Sequence, residues 1–364
     1  MTDRHADPGA LMVIPEARSA HLERLRERPA DKMLYLASKP DFDADLATGQ
    51  ANKVTLLSAC WRVALTRSLV LEMPEPLWLR FFPKFALLGL IYKATNPLRR
   101  GRGRVVVYAI ENNGLDQLLS PDASRGKRVV GPALRMAIRT ISNLVLDRIC
   151  FGSPGSEATY AQLRLTPRLD KTTILELPAA ADETTTGADQ AVLFVGALEE
   201  RKGVRQLMEA WEGVERLCSD AHLTIVGDGP LRAAVEAWQG VRPQTRRYEG
   251  QLDRRELDIV YRRHSVLAAP SIREGRWREQ IGLPIKEGLA RGLHVVTTSE
   301  TGLAPWLSQH GHGVLQGSQE PDMQLRLMSS ILNALSITRD PRLITSDLPR
   351  LDGRTAAREW LHYV

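Results

Sequence analysis

The sequence predicts an α/β protein made of two Rossmann-like domains, each a doubly wound parallel sheet. Three observations carry this. Short apolar runs of strand length alternate with helical patterns in both halves of the chain, the mark of parallel sheets covered by helices. Two of the runs in the second half, AVLFV and HLTIV, lead straight into glycine turns at Gly196 and Gly227. The chain has 364 residues, enough for two domains of ordinary size. A stretch rich in Ala, Thr, Asp and Gly, 178–190, is the best linker between them.

The elements follow in order. Residues 1–30 are polar and mixed in charge and read as a flexible tail. Strands are expected from Lys32 (KMLYLAS) and over 68–73, 104–110, 148–152 and 172–177, with helices over 52–66 and 132–146. A second alternation begins at Val192, and AAREWLHYV closes the chain as a helix. The expected organisation is a tail over 1–30, a first domain over 31–183, a second over 184–345 and a final helix over 346–364. There is no internal repeat.

Composition narrows the function classes. Hydrophobic content of 43% with 25% charged residues is that of a soluble globular protein. Cys60, Cys150 and Cys218 are far apart and form no C-x-x-C, which argues against a disulfide framework or a zinc site and fits a reducing cytoplasm. No signal-like core is visible, and the longest apolar run, FALLGLIY, is far short of the roughly 20 residues needed to span a bilayer. The basic excess is local: 78–148 holds 13 Lys and Arg against 4 Asp and Glu. Such a patch attracts acidic partners. Nucleic acid is not expected, because no recognisable binding module accompanies it. Trp78, Phe81, Phe82, Phe85 and Tyr92 precede Arg99, Arg100, Arg102 and Arg104, a pattern suited to an anionic membrane surface. Two Asp-x-Asp patterns overlap in DFDAD (41–45), but they follow an early strand, and no metal site is expected.

The most informative segment is EQIGLPIKEGLARG, 279–292. Gly282 and Pro284 suit the start of a short helix and Gly292 the position after its end. A helix N-terminus attracts anions such as phosphate, and a carboxylate on the same helix can accept hydrogen bonds from hydroxyls. Upstream lie AVLFVGALEERKGVRQLMEAW and HLTIVGDGPLRAAVEAW, each a strand, a glycine turn and a helix. RRYEG, ELDIVYRRHSVLAAPS and HVVTTSETGLAPWL complete the set. These five segments and the Glu279–Glu287 pair, in this order over 190–317, resemble the retaining glycosyltransferases of the GT-B fold, the glycosyl transferases group 1.

The resemblance implies two Rossmann-like domains facing each other across a cleft, with a C-terminal helix crossing back. It implies an acceptor domain first and a nucleotide-sugar domain second. It implies a hexosyl transfer with retention from a nucleotide diphosphate sugar, which is a substrate rather than a cofactor. Lys202 and Glu279 take catalytic positions at the diphosphate and donor sugar, Glu287 the ribose, and the backbone of Gly196, Gly227, Gly282 and Leu283 the donor. Ala197 stands where the family has arginine, so Arg201 is expected to supply that contact. The family's histidine in the first domain is also missing, and Glu111 or Asn112 is expected to face sugar or acceptor instead. The expected partners are a nucleotide sugar, a glycan or lipid-linked acceptor and an anionic membrane surface. The expected setting is polysaccharide or glycolipid synthesis in the cytoplasm or peripherally at the inner face of the membrane. The rivals are a sugar–phosphate-type synthase with a soluble acceptor and a non-catalytic partner on the same fold.

Overall fold

The computed structural model describes residues 9–39, 42, 43, 45, 49–119, 127–185, 190–317, 320–337 and 340–363, with the backbone alone for 127–130. The chain forms two compact units. The first is Met1–Ile174 with Ala356–Val364, and the second is Leu175–Thr355. The expected domain break at 183/184 therefore comes earlier. The linker residues beyond it are tied into the second unit: Ala181 N–H donates to Ala290 O (2.8 Å) and Thr185 N–H to Arg291 O (2.7 Å).

The first unit runs β1 (Ala10–Ala17), α1 (Ser19–Arg26), β2 (Lys32–Ser38), β3 (Ala51–Lys53), α2 (Leu56–Leu65), β4 (Val70–Met73), α3 (Phe82–Ala94), β5 (Arg104–Ala109), α4 (Leu115–Leu119), α5 (Lys127–Val145), β6 (Arg148–Phe151), α6 (Pro154–Ala161) and β7 (Asp170–Thr173). Its strands are all parallel, in the order β3-β2-β1-β4-β5-β6-β7. The flexible tail expected over 1–30 does not hold from Ala10 onwards, where β1 and α1 lie, and residues 1–8 fall outside the described residues. β1 lies inside the sheet, paired with β2 on one side and β4 on the other. Its apolar run, ALMVI, is a buried parallel strand, and the charged residues around it hid it. Pro15, which has no N–H to donate, lies beyond the stretch paired with β4.

Four of the five aromatics expected at a membrane surface are core, and Trp78 is exposed. Phe81, Phe82, Phe85 and Tyr92 pack with Val105, Val107 and Ile149 of the sheet. Arg99 is buried as well; it donates to Tyr92 O (3.1 Å) and Val63 O (3.0 Å) and lies over the Tyr92 ring. Gly49, the nearest glycine after the expected first strand, precedes β3, away from the carboxyl ends of the strands where ligands bind. Of the Asp-x-Asp residues, Asp41 lies outside the described residues, and Asp43 caps a turn by accepting from Asp45 N–H (2.9 Å).

The second unit runs β8 (Ala191–Val195), α7 (Val204–Leu217), β9 (His222–Val226), α8 (Arg232–Val241), β10 (Arg246–Gly250), α9 (Arg254–Arg262), β11 (Val266–Ala269), α10 (Leu283–Ala290), β12 (His294–Thr298), α11 (Ala304–Gln309), β13 (Gly313–Leu315), α12 (Met323–Ser336) and α13 (Pro341–Ser346). The last helix, α14 (Gly353–His362), begins here and ends in the first unit. The parallel sheet has the order β10-β9-β8-β11-β12-β13. Its core sits between the sheet and α7, α8 and α12, around Trp211, Phe194, Ile225 and Leu327.

Candidate active site

In the second unit the strand order reverses between β8 and β11. A doubly wound sheet opens a crevice at such a point, outside the carboxyl ends of its strands. Gly196 follows β8 there, and Ser271 follows β11. Lys202 reaches the crevice from the helical turn before α7, and Glu279 from the loop before α10. Gly203 makes this possible. It has φ of 71°, and a Cβ on it would fall 2.0 Å from Pro270 O, so the chain beside Lys202 runs directly against the end of β11.

The side chains converge. Lys202 Nζ lies 2.5 Å from Glu279 Oε2, and Ser271 Oγ donates to the same oxygen at 3.2 Å. They line a small pocket with Phe194, Val195, Gly282 and Ile285. Gly282 is the N-cap of α10 and no side chain caps the helix, so its amino end opens on the pocket with backbone only. Pro284 has no N–H, which leaves Gly282 and Leu283 as the local donors.

Glu287 lies one turn into α10, where its Oε2 accepts from Tyr261 OH (2.9 Å). Burial, and then the Glu287 charge, hold that phenol well above its usual pKa, so it stays a donor. Arg201 does not enter the pocket lining. It pairs with Glu199 (2.5 Å), and its guanidinium lies over the Trp277 ring. Gly196 and Gly227 meet at the ends of β8 and β9. A Cβ on Gly227 would fall 1.9 Å from Gly196 O, so Gly227 is needed for strand-end packing. Arg278, which reads in sequence as a solvated charge, is an anchor: it donates to Ser299 O (2.7 Å) and pairs with Glu300 (3.1 Å).

Residues 189–334 match the family model described as glycosyl transferases group 1. The second unit carries a glycosyl transferases group 1 region, and the chain has the GT-B fold. Its whole fold is similar to that of the lipopolysaccharide outer core galactosyltransferase WaaB in apo form, at 11% identity and TM-score 0.63, covering 96% of this chain and 98% of that one. It is similar to Anabaena Alr3699/HepE in complex with UDP and glucose, at 13% identity and TM-score 0.64, covering 98% and 99%. It is similar to apo OtsA, at 11% identity and TM-score 0.61, covering 98% and 99%. No curated protein sequence matches the chain.

The first unit holds the remaining candidates at the carboxyl end of β5. Glu111 Oε1 accepts from Asn113 N–H and Nδ2, both at 2.9 Å. Asn112 is buried against Gly155 at the start of α6 and presents little of itself to a ligand. Sequence reasoning missed Glu75, which is buried after β4. Its carboxylate accepts from the N–H groups of Ile110 and Glu111 (both 3.1 Å) and from Tyr160 OH (3.0 Å). Burial, then the neighbouring Glu111 charge, push its pKa up to about 8. Ser271, Tyr261 and Trp277 were missed too. Only Ser271 had a local signal, as the end of the strand-following AAPS.

Proposed function

We propose that the transferase moves a sugar from a nucleotide diphosphate sugar to a glycan or lipid-linked acceptor, with retention and without a metal ion. The observation that carries this is the convergence of Lys202, Glu279 and the bare amino end of α10 on one pocket beside β8 and β11. A cation and backbone donors aimed at one place stabilise the charge that develops on a leaving diphosphate, and they do so without reorganising during reaction. Glu287, held by Tyr261, is placed to accept from ribose hydroxyls. Retention is then served by attack on the face the diphosphate leaves, with a phosphate oxygen taking the acceptor's proton. The neighbours favour a uridine donor: HepE was solved with UDP and glucose, and the pneumococcal O-GlcNAc transferase GtfA with UDP and GlcNAc.

The lipid-linked acceptor is supported by an outer face of the first unit, on α2 and α3, which pack together. Leu57, Trp61 and Leu65 recur every four residues on α2 and are 83%, 68% and 56% exposed. Leu87 and Leu90 are exposed on α3. Arg62, Arg67, Arg100 and Arg102 are exposed on or after these helices. Between Val54 and Arg104 the acidic residues are Glu72 and Glu75, both buried. An apolar face beside unopposed cations suits an anionic bilayer surface. No helix among the described residues is long and apolar enough to cross a membrane. Peripheral attachment at the cytoplasmic face, in polysaccharide or glycolipid synthesis, is the setting this favours.

A thermal-shift panel of UDP, GDP, ADP and their sugars tests the donor; a ligand at a hundred times its Kd adds about 2.7 kcal/mol of stability. Transfer activity should persist in EDTA, and the product from an α-linked donor should be α-linked by NMR. Inhibition by EDTA that Mn²⁺ reverses would overturn metal independence, and a β product would overturn retention.

A further inference from the structure

Between β11 and α10 the chain folds an indole beneath Arg201 and Lys202, the second of which lines the pocket. Trp277 N–H donates to Glu274 O (2.8 Å) and Glu274 N–H to Trp277 O (3.3 Å), closing a tight turn. Arg278, the next residue, is anchored on Ser299 and Glu300. On the other side Ile272 N–H donates to Arg201 O (2.9 Å), which ties this segment to the one carrying the cations. The ring so held has the Arg201 guanidinium 4.4 Å and Lys202 Nζ 5.1 Å from its centroid.

We propose that Trp277 is a positioning residue for the donor diphosphate, holding Arg201 beside Lys202 so that two cations meet the phosphates. The proposal rests on the reading of the pocket as a nucleotide-sugar site. Two like charges on neighbouring residues repel, and something must hold them together before the ligand arrives. Carboxylates do so by occupying hydrogen-bond donors, as Glu199 does for Arg201 and Glu279 for Lys202. An aromatic face attracts a cation through its quadrupole and leaves the N–H groups free. Trp277 thus holds the two cations on one ring without occupying any donor beyond those Glu199 and Glu279 already take.

The test uses the full chain and calorimetric titration with UDP and with UMP, repeated with GDP/GMP and ADP/AMP if UDP is not the wild-type ligand. Trp277→Ala should weaken diphosphate binding about tenfold, as loss of two partly desolvated cation–aromatic contacts implies. It should change monophosphate binding much less, and Trp277→Phe should recover most of the loss. Trp277→Leu, apolar and bulky but without a quadrupole, should behave like Ala and covers the case in which Ala does not fold. In steady state the loss should appear in the donor KM more than in kcat. Equal losses for diphosphate and monophosphate, or Leu as good as Phe, would overturn the proposal and leave the donor site standing. A wild-type protein that binds none of these diphosphates rejects the donor site and the proposal together.

Discussion

Lys202 and Glu279 pair in the pocket, so on the proposed reading a diphosphate replaces the carboxylate as the lysine's partner. Lys202→Ala should therefore cost about a hundredfold in kcat/KM, the scale of losing one preorganised transition-state donor. Glu287→Ala should raise the donor KM, and it also leaves the Tyr261 hydroxyl only its longer contact to Pro284 O (3.5 Å). Steady-state kinetics with varied donor check both; a Lys202→Ala enzyme with wild-type turnover would remove the lysine from the mechanism. Glu75 gives a prediction in pH. Its folded pKa of about 8 stands above the ordinary 4.5, so the folded state favours the protonated acid. The stability this group contributes is fully present below pH 4.5 and is lost as pH rises towards 8. At about 1.4 kcal/mol per unit the loss is on the order of a few kcal/mol. Denaturant midpoints measured from pH 4 to 9 should fall across that window in the wild type and flatten in Glu75→Gln. Parallel curves for the two proteins would assign the pH dependence to other groups.

At the scale of elements, α2 and α3 turn one face into the core and leave the other apolar. α2 buries Ala59 and Val63, while Leu57, Trp61 and Leu65 look outward. α3 is apolar on every side, with Phe85, Leu88 and Tyr92 inward and Leu87 and Leu90 outward. A helix buried on one side gains nothing from an apolar outer side unless something covers it. Replacing Leu57, Trp61 and Leu65 with Ser should abolish pelleting with phosphatidylserine-containing liposomes and leave nucleotide binding intact. Arg100→Ser with Arg102→Ser should weaken pelleting by about 1 kcal/mol per charge, and added salt should mimic it. Wild-type protein that stays in the supernatant with these liposomes at low salt would direct the search to a soluble acceptor.

For the whole molecule, the decisive feature is that the chain's end returns to its beginning. Arg358 on α14 pairs with buried Asp31 (2.5 Å) and donates to Arg24 O (2.7 Å). His362 Nε2 lies 2.8 Å from Glu72, also buried. Asp31 in turn accepts from Ala10 N–H at the head of β1 (2.7 Å). The first unit is thus closed by residues more than 300 positions away from its first strand. Arg358→Ala leaves Asp31 charged and buried without its partner, and should cost about 3–5 kcal/mol in chemical denaturation. A smaller loss than about 1 kcal/mol would show that the helix is docked by its apolar contacts alone, Ala357 and Leu361.

The second unit was legible because its signals are local. Each strand is an apolar run that ends at its own turn, and the segment running into α10 carries Gly282, Pro284, Glu279 and Glu287 within nine positions. By itself the sequence determined the class of fold and the family of the second unit, and it singled out Lys202 and Glu279, whose pairing only the structure shows. Tertiary structure decided what has no local period. β1 is buried on both faces, so it shows no alternation, and the polar residues around it outweighed it in composition. α3 is apolar all round, so nothing in its pattern says that the aromatics point inward and Leu87 and Leu90 outward. Glu75 and Tyr160 stand 85 positions apart, and Trp277 lies more than 70 from the cations it faces. Such meetings depend on strand order, because a parallel sheet brings together the ends of strands whose connections run through distant helices.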